Sequence, residues 1–208
     1  MSRKLVGSNS EGFNMGRPMD VWKSIAVVTL LTASGVGLAD VSGMLKLCTG
    51  CHGEDGRGMT ADMPIIAGLS AIVQEDALYG YADGNRNCGT TPMMCKSAER
   101  LTEDQIVELA AHYAAMPYVA AGEEFDAALA EAGKAIHDRD CAICHHAAGS
   151  GDEDEVVLHG QRKDYLRYAL QQYAAGERMQ LPAMAKKISA LASEDIEALV
   201  NYYASYRN

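Results

Sequence analysis

Six cysteines stand at positions 48, 51, 88, 95, 141 and 144. Four of them form Cys48-Thr49-Gly50-Cys51-His52 and Cys141-Ala142-Ile143-Cys144-His145. Cys-x-x-Cys-His is the attachment signature of haem c. On one helical turn the two thiols can each add across one vinyl group of a porphyrin. The following histidine then stands over the ring face with Nε2 aimed at iron. Cys-x-x-Cys alone also serves zinc sites and thioredoxin-like redox sites. Zinc needs four ligands drawn together, whereas these motifs lie 93 residues apart. A thioredoxin-like site expects a βαβ context, which the sequence lacks. The pattern predicts two haem c groups, covalently attached through Cys48, Cys51, Cys141 and Cys144, with His52 and His145 as axial ligands.

The elements that must position these residues occur twice. Leu101, Ile106, Leu109, Tyr113 and Ala114 recur as Leu191, Ile196, Leu199, Tyr203 and Ala204 at an offset of 90. Tyr81-Ala82-Asp83-Gly84 matches Tyr173-Ala174-Ala175-Gly176 at an offset of 92. Such self-similarity marks a duplicated domain of about 80 residues. Domains this small bury little surface on their own, and a haem inside each supplies the missing apolar core. Thr102 caps a helix with Glu103 and Asp104 in its first turn. Ile106, Leu109, Ala110 and Tyr113 then recur at helical spacing, and Ile196, Leu199, Val200 and Tyr203 repeat that face. Pro117 stops the first of these helices, and residues 117–126 link into a helix over 127–137. No β-alternation of any length occurs, so the expected fold is all-α, with one covalently bound haem c in each of two tandem domains.

The repeat also selects the sixth iron ligand. Electron-transfer haems commonly add a methionine, which raises the reduction potential. Met94 lies seven residues before Leu101, and Met184 lies seven before Leu191. Both fall in proline-containing, turn-rich stretches, Thr91-Pro92-Met93-Met94 and Leu181-Pro182-Ala183-Met184. Met94 and Met184 are therefore the expected ligands, with Met93 the rival to Met94. Met93, Met116 and Met179 otherwise read as soft core fillers. His112, His137, His146 and His159 are not expected to bind iron; His112 shares its repeat position with Tyr202.

The chain of 208 residues carries a net charge of −10, which argues against nucleic-acid binding. Its first 39 residues read as a secretory signal. Lys23 precedes a short apolar core that ends in Gly37-Leu38-Ala39, a small-x-small cleavage site. That core is too short and too glycine-interrupted for a comfortable membrane span. The residues ahead of it are long for a bacterial leader, and Met15 or Met19 is a candidate start. Cleavage after Ala39 leaves a mature chain near −12, without the only tryptophan, Trp22. The expected organisation is a signal peptide over 1–39, an N-terminal domain over 40–118 and a C-terminal domain over 119–208, exported to the periplasm. Cys88 and Cys95 bracket Met94. In an oxidising periplasm a disulfide is the default, and the alternative is Cys95 as a thiolate iron ligand. The acidic run 152–155 reads as a solvated loop that could steer a basic partner.

Across residues 40–208 the pattern resembles the dihaem class I cytochromes c, in particular cytochrome c4 and the dihaem subunit of flavocytochrome c sulfide dehydrogenase. Met63-Pro64-Ile65-Ile66-Ala67-Gly68 is similar to that family's stretch after the first haem motif. The resemblance implies that the Pro64 carbonyl accepts a hydrogen bond from His52 and fixes its tautomer. The second half keeps Gly160-Gln161 but has Val156 where that proline is expected. Residues 125–145 look particularly like the sulfide dehydrogenase subunit. The resemblance also implies haem propionates that approach one another where the halves meet.

Iron held by His and Met on both faces has no open position for substrate, which suits electron transfer rather than catalysis. The expected function is a periplasmic dihaem electron carrier, not itself an enzyme. Its partners are redox proteins such as a flavoprotein subunit, a terminal oxidase or another cytochrome. Two other functions stand beside it. One is the electron-accepting subunit of a flavocytochrome c sulfide dehydrogenase. The other is a catalytic dihaem enzyme, a peroxidase or thiosulfate dehydrogenase.

Overall fold

Helix-start chemistry sets the elements. In the computed structural model, which describes residues 41–88, 92–146 and 156–207, Ser70 accepts a hydrogen bond from the Val73 amide and opens a helix over Ala71–Ala82. Thr102 and Gln105 form a reciprocal capping box at the start of Glu103–Ala114, as expected of a polar cap three residues before a glutamine. Asp126 accepts from the amides of Ala128 and Leu129 and starts Ala127–Ile136. Pro182 occupies the first turn of Pro182–Ile188, where its missing N–H costs nothing.

In chain order the described α-helices are α1 (Ser42–His52), α2 (Ala71–Ala82), α3 (Met93–Ala98), α4 (Glu103–Ala114), α5 (Ala127–Ile136), α6 (Lys163–Ala174), α7 (Pro182–Ile188) and α8 (Ser193–Ala204). A π-helical turn, His137–Cys141, continues α5. No strand forms among the described residues, only an isolated antiparallel bridge between Arg86 and Arg178. None of the described helices is long and apolar enough to cross a membrane. The signal segment 1–39 and the acidic run 152–155 lie outside the described residues.

The cores follow the predicted faces. Ile106, Leu109, Ala110 and Tyr113 are buried on α4, and Ile196, Leu199, Val200 and Tyr203 on α8. In the second half α5 crosses α8 so closely that a Cβ on Gly133 would come within 2.1 Å of the Ala198 carbonyl oxygen. Equivalent positions differ in burial. Tyr202 is buried against α5, whereas His112 at the same repeat position is exposed. Most of the segment that would match α5 in the first half, residues 34–43 at an offset of 93, lies outside the described residues.

The duplication is visible in the backbone. Gly68 donates to the Tyr113 carbonyl at 2.9 Å, and Gly160 donates to the Tyr203 carbonyl at 2.8 Å. Both glycines have positive φ, 72° and 66°. A Cβ would strike Tyr118 at the first and Ala120 at the second, so glycine is required twice for space as well as conformation.

The stretches around Met94 and Met184 differ from the expected turn-rich loops. They are the short helices α3 and α7. Met93 and Met179 are also not core fillers, being 56% and 74% exposed.

Candidate functional site

At the first site α1 places Cys48, Cys51 and His52 on one helical face, at i, i+3 and i+4. Gly53, with φ 78°, ends the helix directly after the histidine. The loop then folds back onto it: Gly58 donates to the His52 carbonyl at 2.7 Å and Met59 to the Cys51 carbonyl at 3.0 Å. His52 is buried, and its Nδ1 lies 3.4 Å from the Pro64 carbonyl oxygen. A proton on Nδ1 leaves Nε2 as the free-base nitrogen that a metal requires. Burial pulls the His52 pKa down, against a smaller upward pull from the Pro64 carbonyl.

At the second site the π-helical turn delivers Cys141, and the following turn delivers Cys144 and His145. Their amides donate to the Cys141 carbonyl at 3.1 and 2.9 Å. Behind this turn His137 is 1% exposed, and its Nδ1 lies 3.1 Å from the Tyr203 hydroxyl. Its ring packs against those of Tyr202 and Tyr203. Sequence reasoning assigned His137 no iron-binding role and missed its place in the core, which depends on the α5–α8 crossing.

The four motif cysteines are unpaired. Burial pushes the Cys48 and Cys141 thiols up, the opposite of the depressed pKa that activates a redox or catalytic thiolate. Cys88 and Cys95 are joined in a disulfide with Cα atoms 6.0 Å apart, which removes Cys95 as a thiolate ligand. The Cys95 amide also lies 2.9 Å from the Cys88 sulfur. Met94 and Met184 are half-buried in the first turns of α3 and α7. Lys187 on α7 pairs with Asp140 at 2.7 Å. Asp140 also binds Arg139 at 2.6 Å. This ties the helix that carries Met184 to the turn that carries Cys141. In the first half Leu47 stands at the position of Asp140, so the tie belongs to the second site alone.

These residues fit a covalently held haem. Each site offers two thiols three residues apart that form no disulfide, and an adjacent histidine. At the first site burial pushes the Tyr113 phenol up to about 12, and its hydroxyl is buried with no hydrogen-bond partner among the described residues.

Comparison with known proteins places this architecture. The family model for cytochrome c matches residues 130–206. Cytochrome c-554(548) of Halomonas halodenitrificans is 36% identical over 66 residues, which span 32% of this chain and 80% of that protein. Cytochrome c4 of Pseudomonas aeruginosa is 26% identical over 200 residues, covering 86% of this chain and 96% of that one. Among solved structures, cytochrome c4 of Acidithiobacillus ferrooxidans superimposes with a TM-score of 0.68 at 25% identity, over 76% of this chain and 98% of that one. The thiosulfate dehydrogenase of Marichromatium purpuratum gives a TM-score of 0.64 at 30% identity, over 76% of this chain but 36% of that one. The chain belongs to the cytochrome c family. It is a cytochrome c4-like dihaem protein of electron transfer, with two cytochrome c domains and two covalently bound haem c groups.

Proposed function

We propose that the protein is a periplasmic electron carrier in which His52 and Met94 hold one haem iron and His145 and Met184 the other. Cys48 and Cys51, and Cys141 and Cys144, form the thioether links. The domains run over 40–118 and 119–208, behind an export signal over 1–39. The observation that carries this reading is the repetition of one complete set of parts. Each half has a Cys-x-x-Cys-His turn and a half-buried methionine on a short helix just before the last long helix. Met93, the rival ligand, points to solvent for more than half its surface, which favours Met94.

The bound groups supply one-electron redox chemistry at each iron. The chain holds them by covalent links, keeps the His52 tautomer in place through Pro64, and buries the site against α4 and α8. Saturating both axial positions leaves no place for substrate, so electrons pass with little ligand movement. The second reading, a subunit of a larger oxidoreductase, draws on the likeness of residues 125–145 to the sulfide dehydrogenase subunit. It also draws on the thiosulfate dehydrogenase structure, whose matched part is about a third of its chain.

The optical spectrum of the ferric protein tests the ligand set. The methionine–iron charge-transfer band is expected, with Met94→Ala and Met184→Ala each removing about half of it. A wild-type spectrum without the band, or ready cyanide binding at one haem, defeats the assignment. Co-purification of a flavin-bearing chain with the native protein favours the subunit reading over the free carrier.

A further inference from the structure

The two motif turns differ in what stands behind them. Tyr113 on α4 and Tyr203 on α8 hold the same repeat position at an offset of 90, and Met44 and His137 hold another at an offset of 93. His137 and Cys141 span the π-helical turn that continues α5, four residues apart on one face. Tyr203 meets both. Its hydroxyl lies 3.1 Å from His137 Nδ1. Burial and then Asp140 push the Cys141 thiol up, against a smaller downward pull from a hydrogen bond with the Tyr203 hydroxyl. The first half keeps the phenol and the cysteine but not the imidazole. The Tyr113 hydroxyl is buried with no hydrogen-bond partner among the described residues. Met44, half-buried on α1, has no proton to give.

A phenol has a single proton. With that proton directed at the Cys141 sulfur, the oxygen accepts from His137, which places the imidazole proton on Nδ1. The other ring nitrogen agrees. Nε2 is buried without a hydrogen-bond partner among the described residues, and an interior tolerates an under-satisfied acceptor better than an orphaned N–H. His137 is 1% exposed, and burial disfavours its charged form. The result is a directed chain, from Nδ1–H to the Tyr203 oxygen and from the Tyr203 O–H to the Cys141 sulfur. The rings of Tyr202 and Tyr203, with centres 5.2 and 5.7 Å from that of the imidazole, hold it in place.

We propose that His137 is a positioning residue for electron transfer: it holds the Tyr203 hydroxyl on the sulfur by which Cys141 carries the second haem, and so raises that haem's potential by a contribution the first haem lacks. A thioether sulfur keeps its lone pairs after the thiol has added to the vinyl group, so it still accepts the bond. Donation to that sulfur draws electron density from the ring and favours ferrous iron. Hydrogen bonding from outside the ligand set is one of the levers on a haem potential, and a low local dielectric strengthens it. The assignment rests on the two haem c groups given above but not on which residues are the sixth ligands.

Potentiometric titration of the haem-loaded protein tests it. His137→Phe keeps an aromatic ring in the same space and removes the N–H. It is expected to shift the ferric–ferrous equilibrium constant of one haem about threefold toward ferric, a fall of about 28 mV for one electron, and to leave the other potential in place. Tyr203→Phe is expected to give the same fall at the same haem. The double variant His137→Phe/Tyr203→Phe is expected to fall no further than either single one, because both act through one chain of bonds. His137→Gln, whose amide N–H still reaches toward the phenol oxygen, is expected to recover at least half of the fall, and Tyr113→Phe to leave both potentials unchanged. Unchanged potentials in His137→Phe overturn the proposal. Additive falls in the double variant, or equal falls in the Gln and Phe variants, overturn it too, because the role would then be one of packing. A fall in Tyr113→Phe as large as that in Tyr203→Phe also overturns it, because the imidazole would then be irrelevant. If His137→Phe fails to load haem, the two tyrosine variants still decide. Absence of the methionine charge-transfer band would defeat the ligand assignment and leave these outcomes intact.

Discussion

Single side chains carry unequal shares of this structure, and Gln161 carries one of the largest. Its amide accepts from the Ile65 N–H and donates to the Ile65 carbonyl, both at 2.8 Å, across 96 residues of sequence. Gln161 is buried and so is Ile65. Replacing the amide by an isosteric apolar group strands two buried backbone groups, which costs on the order of 2–4 kcal/mol. Gln161→Leu is expected to lower the unfolding free energy by that amount, seen as a lower denaturant midpoint with the slope unchanged, measured by helical circular dichroism. At this scale the motif residues were legible in the sequence because covalent attachment fixes their spacing. Pro64 was legible through resemblance. Gln161 was visible only as half of a retained Gly-Gln pair. A bond between residues 96 apart leaves no local trace, and the same is true of the contact between His137 and Tyr203.

Elements show where the halves depart from one another. The Cys88–Cys95 disulfide closes a short loop that runs into the first turn of α3, in the first half only. By loop entropy such a closure contributes about 2–3 kcal/mol, so Cys88→Ala/Cys95→Ala is expected to lose about that much in chemical denaturation. In the second half the α5–α8 crossing has no room beyond hydrogen at Gly133. Gly133→Ala is expected to cost roughly 1–3 kcal/mol from overpacking, despite alanine's better helix propensity. The Lys187–Asp140 tie gives the second site a pH response. Hydrogen bonds from Lys187 and then Arg139 hold the Asp140 carboxyl below its ordinary range. A depressed carboxylate contributes stability above its unfolded value and loses it as pH falls through the folded one. Thermal melts are expected to show a loss below the ordinary carboxylate range that is smaller in Asp140→Asn; equal losses in both proteins would rule the tie out as the source. The sequence foretold α4, α5 and α8, whose caps and apolar faces are strong local signals. It foretold turns where α3 and α7 form, because helices of six and seven residues are too short to show a period.

At the scale of the whole molecule, duplication has produced two halves that complete each other. The order of parts was legible in the sequence, through offsets of 90 to 93. The seam between the halves, where Arg86 bridges to its repeat equivalent Arg178, was not, because nothing in a repeat says that equivalent segments must pair with one another. Besides that bridge, the seam is held by Arg162, whose Nε donates to the Arg57 carbonyl and whose Nη2 donates to the Gly58 carbonyl, each at 2.9 Å. The same guanidinium lies 3.5 Å from Glu123. Arg57 answers with a 3.0 Å bond to the Ala120 carbonyl, and Tyr118 donates to the His159 carbonyl at 2.6 Å. The carbonyls of Arg57 and Gly58 belong to the loop that follows His52, so the second half braces the first proposed haem site. Arg162→Ala removes two bonds to backbone acceptors and one ion pair, while the cores around α4 and α8 stay intact. Cooperativity between halves depends on such cross-links, and weakening them uncouples the units before it unfolds either. Calorimetry of the haem-loaded protein is therefore expected to change from one transition in the wild type to two in Arg162→Ala, the earlier one accompanied by loss of order at the first haem. A single transition in the variant, shifted as a whole, would show that the seam is held elsewhere along its length.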